Sequence, residues 1–224
     1  LVVEAAQESG RDRHTRAGDA GQQGERLGGA DQGSLAKGQV GDRAPLEVFL
    51  TAAGGYGGNR TRDDKRLTAE LTAGELVRRG CTTALDMFGE YPVPSPEGMG
   101  AVADAYEGVG MRAVSAPMMA DTTLFRAIPG LLESLPEPHR ARAAAMAAAP
   151  TGEMLAGLEA VLTGWRHDRA RIRPGIAPTI PLHCSDAFMT GCARLAEEHD
   201  TLLQTHLAET RLQCIKGRER YGHS

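Results

Sequence analysis

"RPGIAPTIPLHCSDAFMTGCARLAEEHDTLLQTHLAE", residues 173–209, carries a strand–helix–strand unit in one run. "ARIRPGIAP" (170–178) reads as a strand. Ser185 then stands as an N-cap, and Phe188, Cys192, Leu195 and His199 repeat at helical spacing on one face. A short buried strand is predicted over Thr201–Thr205, running directly into His206, with Glu209 three residues further on. Strands joined by a helix cross over and lie parallel.

The same rhythm extends upstream. "LTAELTAGELVRRG" (67–80) brings Leu67, Leu71 and Leu76 near one face, with Thr68 as N-cap and Gly80 as the stop. "CTTALDMF" (81–88) reads as a strand, "EGMGAVADAYEGVG" (97–110) as a helix closed by Gly110, and "MRAVSAPMM" (111–119) as the next strand. A helical region over 137–165 is broken in two by Pro150. "PLEVFL" (45–50) can start a helix, and the Gly and Asp content of 54–64 predicts a loop. Parallel strands are therefore expected near 82–87, 111–117, 171–177 and 201–206, with helices on one side. This pattern fits part of a (β/α)8 barrel or a doubly wound sheet. A flavodoxin-like binder is disfavoured, because no GxGxxG or P-loop phosphate cradle stands at a strand–helix junction.

The chain has 224 residues, 41% of them hydrophobic and 24% charged, which suits a packed core. A net charge of −4 argues against nucleic-acid binding, which needs clustered Lys and Arg. No apolar run approaches the roughly 20 residues of a membrane helix. The four cysteines form no CxxC pair, so a cytoplasmic protein with reduced thiols is expected. Residues 1–34 differ from the rest: rich in Gly, without aromatics and without period, they are expected to be disordered. Residues 35–224 form the predicted structured domain.

"ELVRRGCTTALDMF", "GMRAVSAPMMADTT" and the run from 173 to 213, in this order and spacing, resemble the amidohydrolase superfamily. The nearest branch is similar to the cytosine, guanine and methylthioadenosine deaminases and the triazine chlorohydrolases. The resemblance implies an incomplete (β/α)8 barrel, about its first five strand–helix units, with the site at the C-terminal ends of the strands. It implies one divalent metal, Zn²⁺ or Fe²⁺, and a small heterocyclic substrate. His206 matches the metal histidine of barrel strand 5, and Glu209 matches the carboxylate that shuttles protons. Such chemistry needs an imidazole ligand, a water acidified by the metal, and a carboxylate to move its proton.

Strand side chains alternate, so His206 is expected to be the last barrel-facing residue and Glu209 to curl back over the rim. Thr179 stands where several relatives place a substrate-binding histidine, and His183 lies four residues later. Both are candidate substrate contacts. Cys184 is expected to pack at a helix start, Asp86 either to line the rim or to bond within a loop, and the other histidines to be solvated.

The family takes two further ligands from an HxH motif at the end of strand 1, and the matching residues 28–39 contain no histidine. Its strand-6 histidine and strand-8 aspartate have no counterpart before Ser224. The expectation is therefore a fragment or a frame-shifted product, inactive as an isolated chain and not retaining the metal. The alternative is a non-catalytic remnant acting as a binding or homo-oligomer-forming module.

Overall fold

Residues 46, 47, 49 and 50 are helical, in line with the expectation for 45–50, and the helix that follows starts earlier than its leucines predict. In the computed structural model, which describes residues 45–47, 49, 50 and 60–223, helix α1 spans Arg62–Arg78. Its N-cap is Thr61, whose hydroxyl accepts from Asp64 N at 3.1 Å while the Asp64 carboxylate accepts from Thr61 N at 2.9 Å. This reciprocal capping box settles the start. Thr68, expected to cap, lies inside the helix and donates its hydroxyl to the Asp64 carbonyl. The buried face carries Ala69 and Ala73, with Leu76 packed against the same core as expected, whereas Leu71 is 51% exposed. Gly80, at φ +87°, turns the chain after the helix as predicted.

Strand β1 (Thr83–Gly89), helix α2 (Pro96–Val109) and strand β2 (Arg112–Met119) follow. Ser95 caps α2, and Gly110 closes it at φ +80°. Two one-turn helices, α3 (Leu124–Ala127) and α4 (Leu131–Ser134), lead to α5 (His139–Ala145) and α6 (Thr151–Thr163). Pro150 separates the last two, as the sequence predicts. Strand β3 (Ile172–Pro178), a 3-10 turn at Pro181–His183, α7 (Asp186–Glu198), β4 (Leu202–Leu203) and α8 (Arg211–Tyr221) complete the described chain.

All four strands are parallel, in the order β1-β2-β3-β4. The register aligns Ala84 with Ala113 and Ala113 with Ile172. These residues pack with Ala69, Val102, Ala105 and Tyr106 of α1 and α2. Further along the same face, Met119 and Ile176 pack with Met154, Leu158, Phe188, Cys192 and Leu195 of α6 and α7. The helices thus cover one face of the sheet, as in an arc of a (β/α)8 barrel. The other face carries Leu85, Val114, Gly175 and Leu202. It is tight at Gly175, where a Cβ would lie 2.8 Å from Val114 Cγ1 and 3.0 Å from the Ala116 Cβ.

The last strand departs from expectation. Only Leu202 and Leu203 pair with β3, and they are 48% and 37% exposed rather than buried. Among the described residues β4 is an edge, with a neighbour on one side only. Burial belongs to the neighbours a residue has, which a local apolar run does not specify. The expectations of a disordered segment over 1–34, and of the first of five strand–helix units, lie outside the described residues.

Candidate active site

One backbone carbonyl organises the rim at the C-terminal ends of β2, β3 and β4. Thr179 follows β3, and its N–H donates to the Met119 carbonyl at 2.8 Å. Its own carbonyl accepts from His206 N at 2.9 Å, from His206 Nδ1 at 2.9 Å and from the Thr205 hydroxyl at 3.3 Å. A carbonyl oxygen only accepts, so Nδ1 carries a hydrogen, and in the neutral ring Nε2 is then the nitrogen with the lone pair. Metal-ligating histidines are oriented in this way, by a hydrogen bond from the nitrogen that does not bind. The half-buried His206 therefore fits one ligand position of a divalent metal.

The strand expected to run to residue 206 ends at Leu203, so His206 already lies beyond it and is held by its bonds to Thr179. Ala208 sits at φ +55°, a left-handed conformation uncommon for a residue with a Cβ. Glu209 is exposed; its N–H donates to Gln213 Oε1 at 3.0 Å, and Gln213 Nε2 donates to its carboxylate at 3.2 Å. Gln213 belongs to the first turn of α8, which is capped by the Thr210 hydroxyl. No hydrogen bond or ion pair joins His206 to Glu209 among the described residues. The two stand on adjoining segments, and Gln213 holds the carboxylate.

His183 lies in the 3-10 turn, 7% exposed, with Nε2 buried and without a hydrogen-bond partner. Its backbone is tied at both ends: its N–H donates to the Ile180 carbonyl and its carbonyl accepts from Thr122 N. Burial pushes the imidazole down to about 4, so it is neutral at pH 7. The neighbouring Cys184 is pushed up to about 12, chiefly by burial and then by Asp121. Its thiol is therefore protonated and packs at the helix start, as expected.

Asp86 does not line the rim. It projects into the helix layer and accepts from the Tyr106 hydroxyl at 3.0 Å. Burial raises its carboxyl above the ordinary carboxylate range, against the lowering effect of that hydrogen bond. Period-two alternation with Ala84 and Phe88 carries this orientation. His167, expected to be solvated, is also largely covered, its side chain 12% exposed.

Two carboxylates that sequence reading passed over fix the rim. Asp121, just after β2, accepts from Thr151 Oγ1 at 2.8 Å, Ser185 N at 2.8 Å and Ser185 Oγ at 2.5 Å. It thereby joins the starts of α6 and α7. Glu90, just after β1, is 2% exposed and accepts from Ser95 Oγ at 2.9 Å. Lys65 Nζ lies 2.6 Å from its other oxygen, a charge contact without hydrogen-bond angles. Nothing in the local sequence signals either role, because the partners are remote in the chain.

The family model described as "Amidohydrolase family" matches residues 33–223. The chain belongs to the amidohydrolase family. Among curated relatives, this amidohydrolase chain is 29% identical over 153 residues to an 8-oxoguanine deaminase from Pseudomonas aeruginosa, covering 67% of this chain and 31% of the relative. It is 27% identical over 183 residues to a 5-methylthioadenosine/S-adenosylhomocysteine deaminase from Halalkalibacterium halodurans, covering 81% and 35%. The chain spans about a third of the length of these relatives. An atrazine chlorohydrolase from Arthrobacter aurescens TC1, solved with zinc, superposes with a TM-score of 0.60 at 17% identity, over 81% of this amidohydrolase chain and 39% of that one. At that identity the match establishes the barrel-type fold.

Proposed function

We propose that this chain is part of a metal-dependent hydrolase of small heterocycles that breaks a non-peptide C–N bond by deamination, or a C–Cl bond in the related dechlorination. The observation that carries this reading is the His206 imidazole three residues beyond β4, hydrogen-bonded through Nδ1 to the Thr179 carbonyl so that Nε2 is left to bind. His206 is one ligand; when bound, a divalent Zn²⁺ or Fe²⁺ would acidify a water beside it. Glu209 would then release Gln213, take the proton of that water as it attacks the ring carbon, and deliver it to the departing nitrogen. Thr179 and His183 would face the heterocycle, His183 as a neutral imidazole. The relatives supply the substrate class: 8-oxoguanine and 5-methylthioadenosine deaminases act on amino-bearing heterocycles.

The described residues offer one imidazole of the family's ligand set, so the isolated chain is proposed to be inactive and not to hold the rim metal tightly. The alternative, a remnant serving as a binding or oligomer-forming module of the cytoplasm, is favoured by the exposed Leu202, Leu203 and Leu207 at the edge.

The test is ammonia release from guanine, 8-oxoguanine, 5-methylthioadenosine and an aminotriazine, with Zn²⁺ or Fe²⁺ added. It is run on this chain and on the longest natural product containing it. The longer product is expected to release ammonia, and His206→Ala or Glu209→Gln to abolish it. No ammonia from these substrates and no chloride from a chlorotriazine, with the longer product, supports the remnant. One equivalent of tight rim metal and turnover in this chain alone, both lost in His206→Ala, would overturn its inactivity.

A further inference from the structure

A group of side chains with metal-ligand chemistry lies on the outer, helical side of the sheet, away from the rim. Asp104 and Glu107 are one turn apart on α2 and project together. His167, from the connection between α6 and β3, reaches them: Nδ1 lies 3.0 Å from Glu107 Oε2, and Nε2 lies 3.6 Å from Asp104 Oδ1. One donor atom from each of the three side chains lies within 4.8 Å of the others. The ring is steadied by Trp165, at 5.3 Å between centroids and a 56° tilt. Trp165 is itself anchored, its indole N–H donating to the Ile172 carbonyl at 3.0 Å.

Two carboxylates converge here, with Arg62 3.7 Å from Asp104, Arg66 acting on the same carboxylate and Arg166 lining the adjoining cavity, so a metal ion competes with these guanidinium groups. A cavity of about 270 Å³ opens alongside, lined in part by Glu97, Gly100, Trp165 and His167. It gives water access to complete a coordination shell. A metal takes one ring nitrogen, and the set with one donor from each side chain lies within 4.8 Å, against roughly 3.3 Å between ligands bound at about 2.0–2.1 Å in a tetrahedral site, so binding would draw the three side chains closer. One imidazole and two carboxylates form a borderline donor set that suits Zn²⁺, Ni²⁺ or Co²⁺ more than Ca²⁺ or Mg²⁺.

We propose that Asp104, Glu107 and His167 form a peripheral binding site for a divalent transition metal, which staples α2 to the chain entering β3. The site is independent of the rim: it uses neither His206 nor Glu209.

The chain carries its own probe, because Trp165 is its single tryptophan. Ni²⁺ or Co²⁺ bound beside the His167 ring quenches its fluorescence. The expected result is a saturable quench at one equivalent, reversed by chelator. Glu107→Gln and His167→Ala should each weaken the apparent affinity at least tenfold, and His206→Ala should leave it unchanged. Glu107→Gln leaves the Trp165–His167 contact in place, so a changed tryptophan environment cannot mimic its effect. No saturable quench up to about 1 mM metal, the weakest affinity of interest, would overturn the proposal. So would a quench that survives either Glu107→Gln or His167→Ala. Either outcome would leave the trio as an ion pair bridged by the histidine.

Discussion

His183 is expected to make the fold acid-sensitive. Its imidazole titrates at about 4 in the folded chain against an ordinary value of 6.5, and burial is the cause. The unfolded chain then binds more protons than the folded one between these two values, so stability falls as pH falls through that window. One pKa unit corresponds to about 1.4 kcal/mol, so the full shift is worth about 3 kcal/mol. About 2 kcal/mol of this is lost between pH 7 and pH 5, and the loss levels off below about pH 4. Urea unfolding of the chain and of His183→Gln, each at pH 7 and pH 5, isolates the effect. The variant can cost stability at both pH values, since it disturbs a packed turn, but its loss between them should be smaller by about 2 kcal/mol. Groups such as Asp86, whose raised carboxyl works in the opposite sense, are common to both proteins and cancel in the difference. An equal loss in both proteins would refute the reasoning and place the ring in contact with water.

Lys65→Met should cost about 3–5 kcal/mol, because it leaves the nearly enclosed Glu90 carboxylate without its cation, and Glu90→Gln in the same chain should recover much of this. A single-variant cost below about 1 kcal/mol in urea unfolding would contradict the buried pair. On one helix, two glycine replacements should have opposite signs. Gly98→Ala places a Cβ 2.0 Å from Glu90 Oε1 and should destabilise by about 1–3 kcal/mol. Gly100→Ala meets nothing within 4 Å and should stabilise by up to about 1 kcal/mol. Thermal unfolding distinguishes the two, and equal shifts would argue against the tight contact at Glu90. Long-range ¹H–¹⁵N correlation of His206 near neutral pH should reveal the Nδ1–H tautomer; the Nε2–H form would remove the ligand orientation on which the rim reading rests.

Pro150 and Gly110 were legible because they act on their own backbone: a missing N–H and a left-handed φ need no distant partner. The capping Ser185 and the stripe Phe188, Cys192 and Leu195 were legible for the same reason, with period and cap lying within one helix. The start of α1 was misread because Thr61 and Thr68 are both plausible caps, and the leucines drew attention to the wrong one. The exposed leucines of β4 were misread because strand burial depends on what lies across the sheet.

By itself, the sequence determined the alternation of strand and helix, hence parallel strands, and the order of residues that places His206 after the fourth of them. Those are local properties of a covalent chain. Only the tertiary structure decided which side chains meet. The Thr179 carbonyl selects the free nitrogen of His206 across 27 residues. The Asp121 carboxylate joins helices that begin 30 and 64 residues later. His167 meets Glu107 across 60 residues. Each contact depends on the crossover of α/β units bringing remote backbone to within about 3 Å, and hydrogen bonding and ion pairing act only at that range.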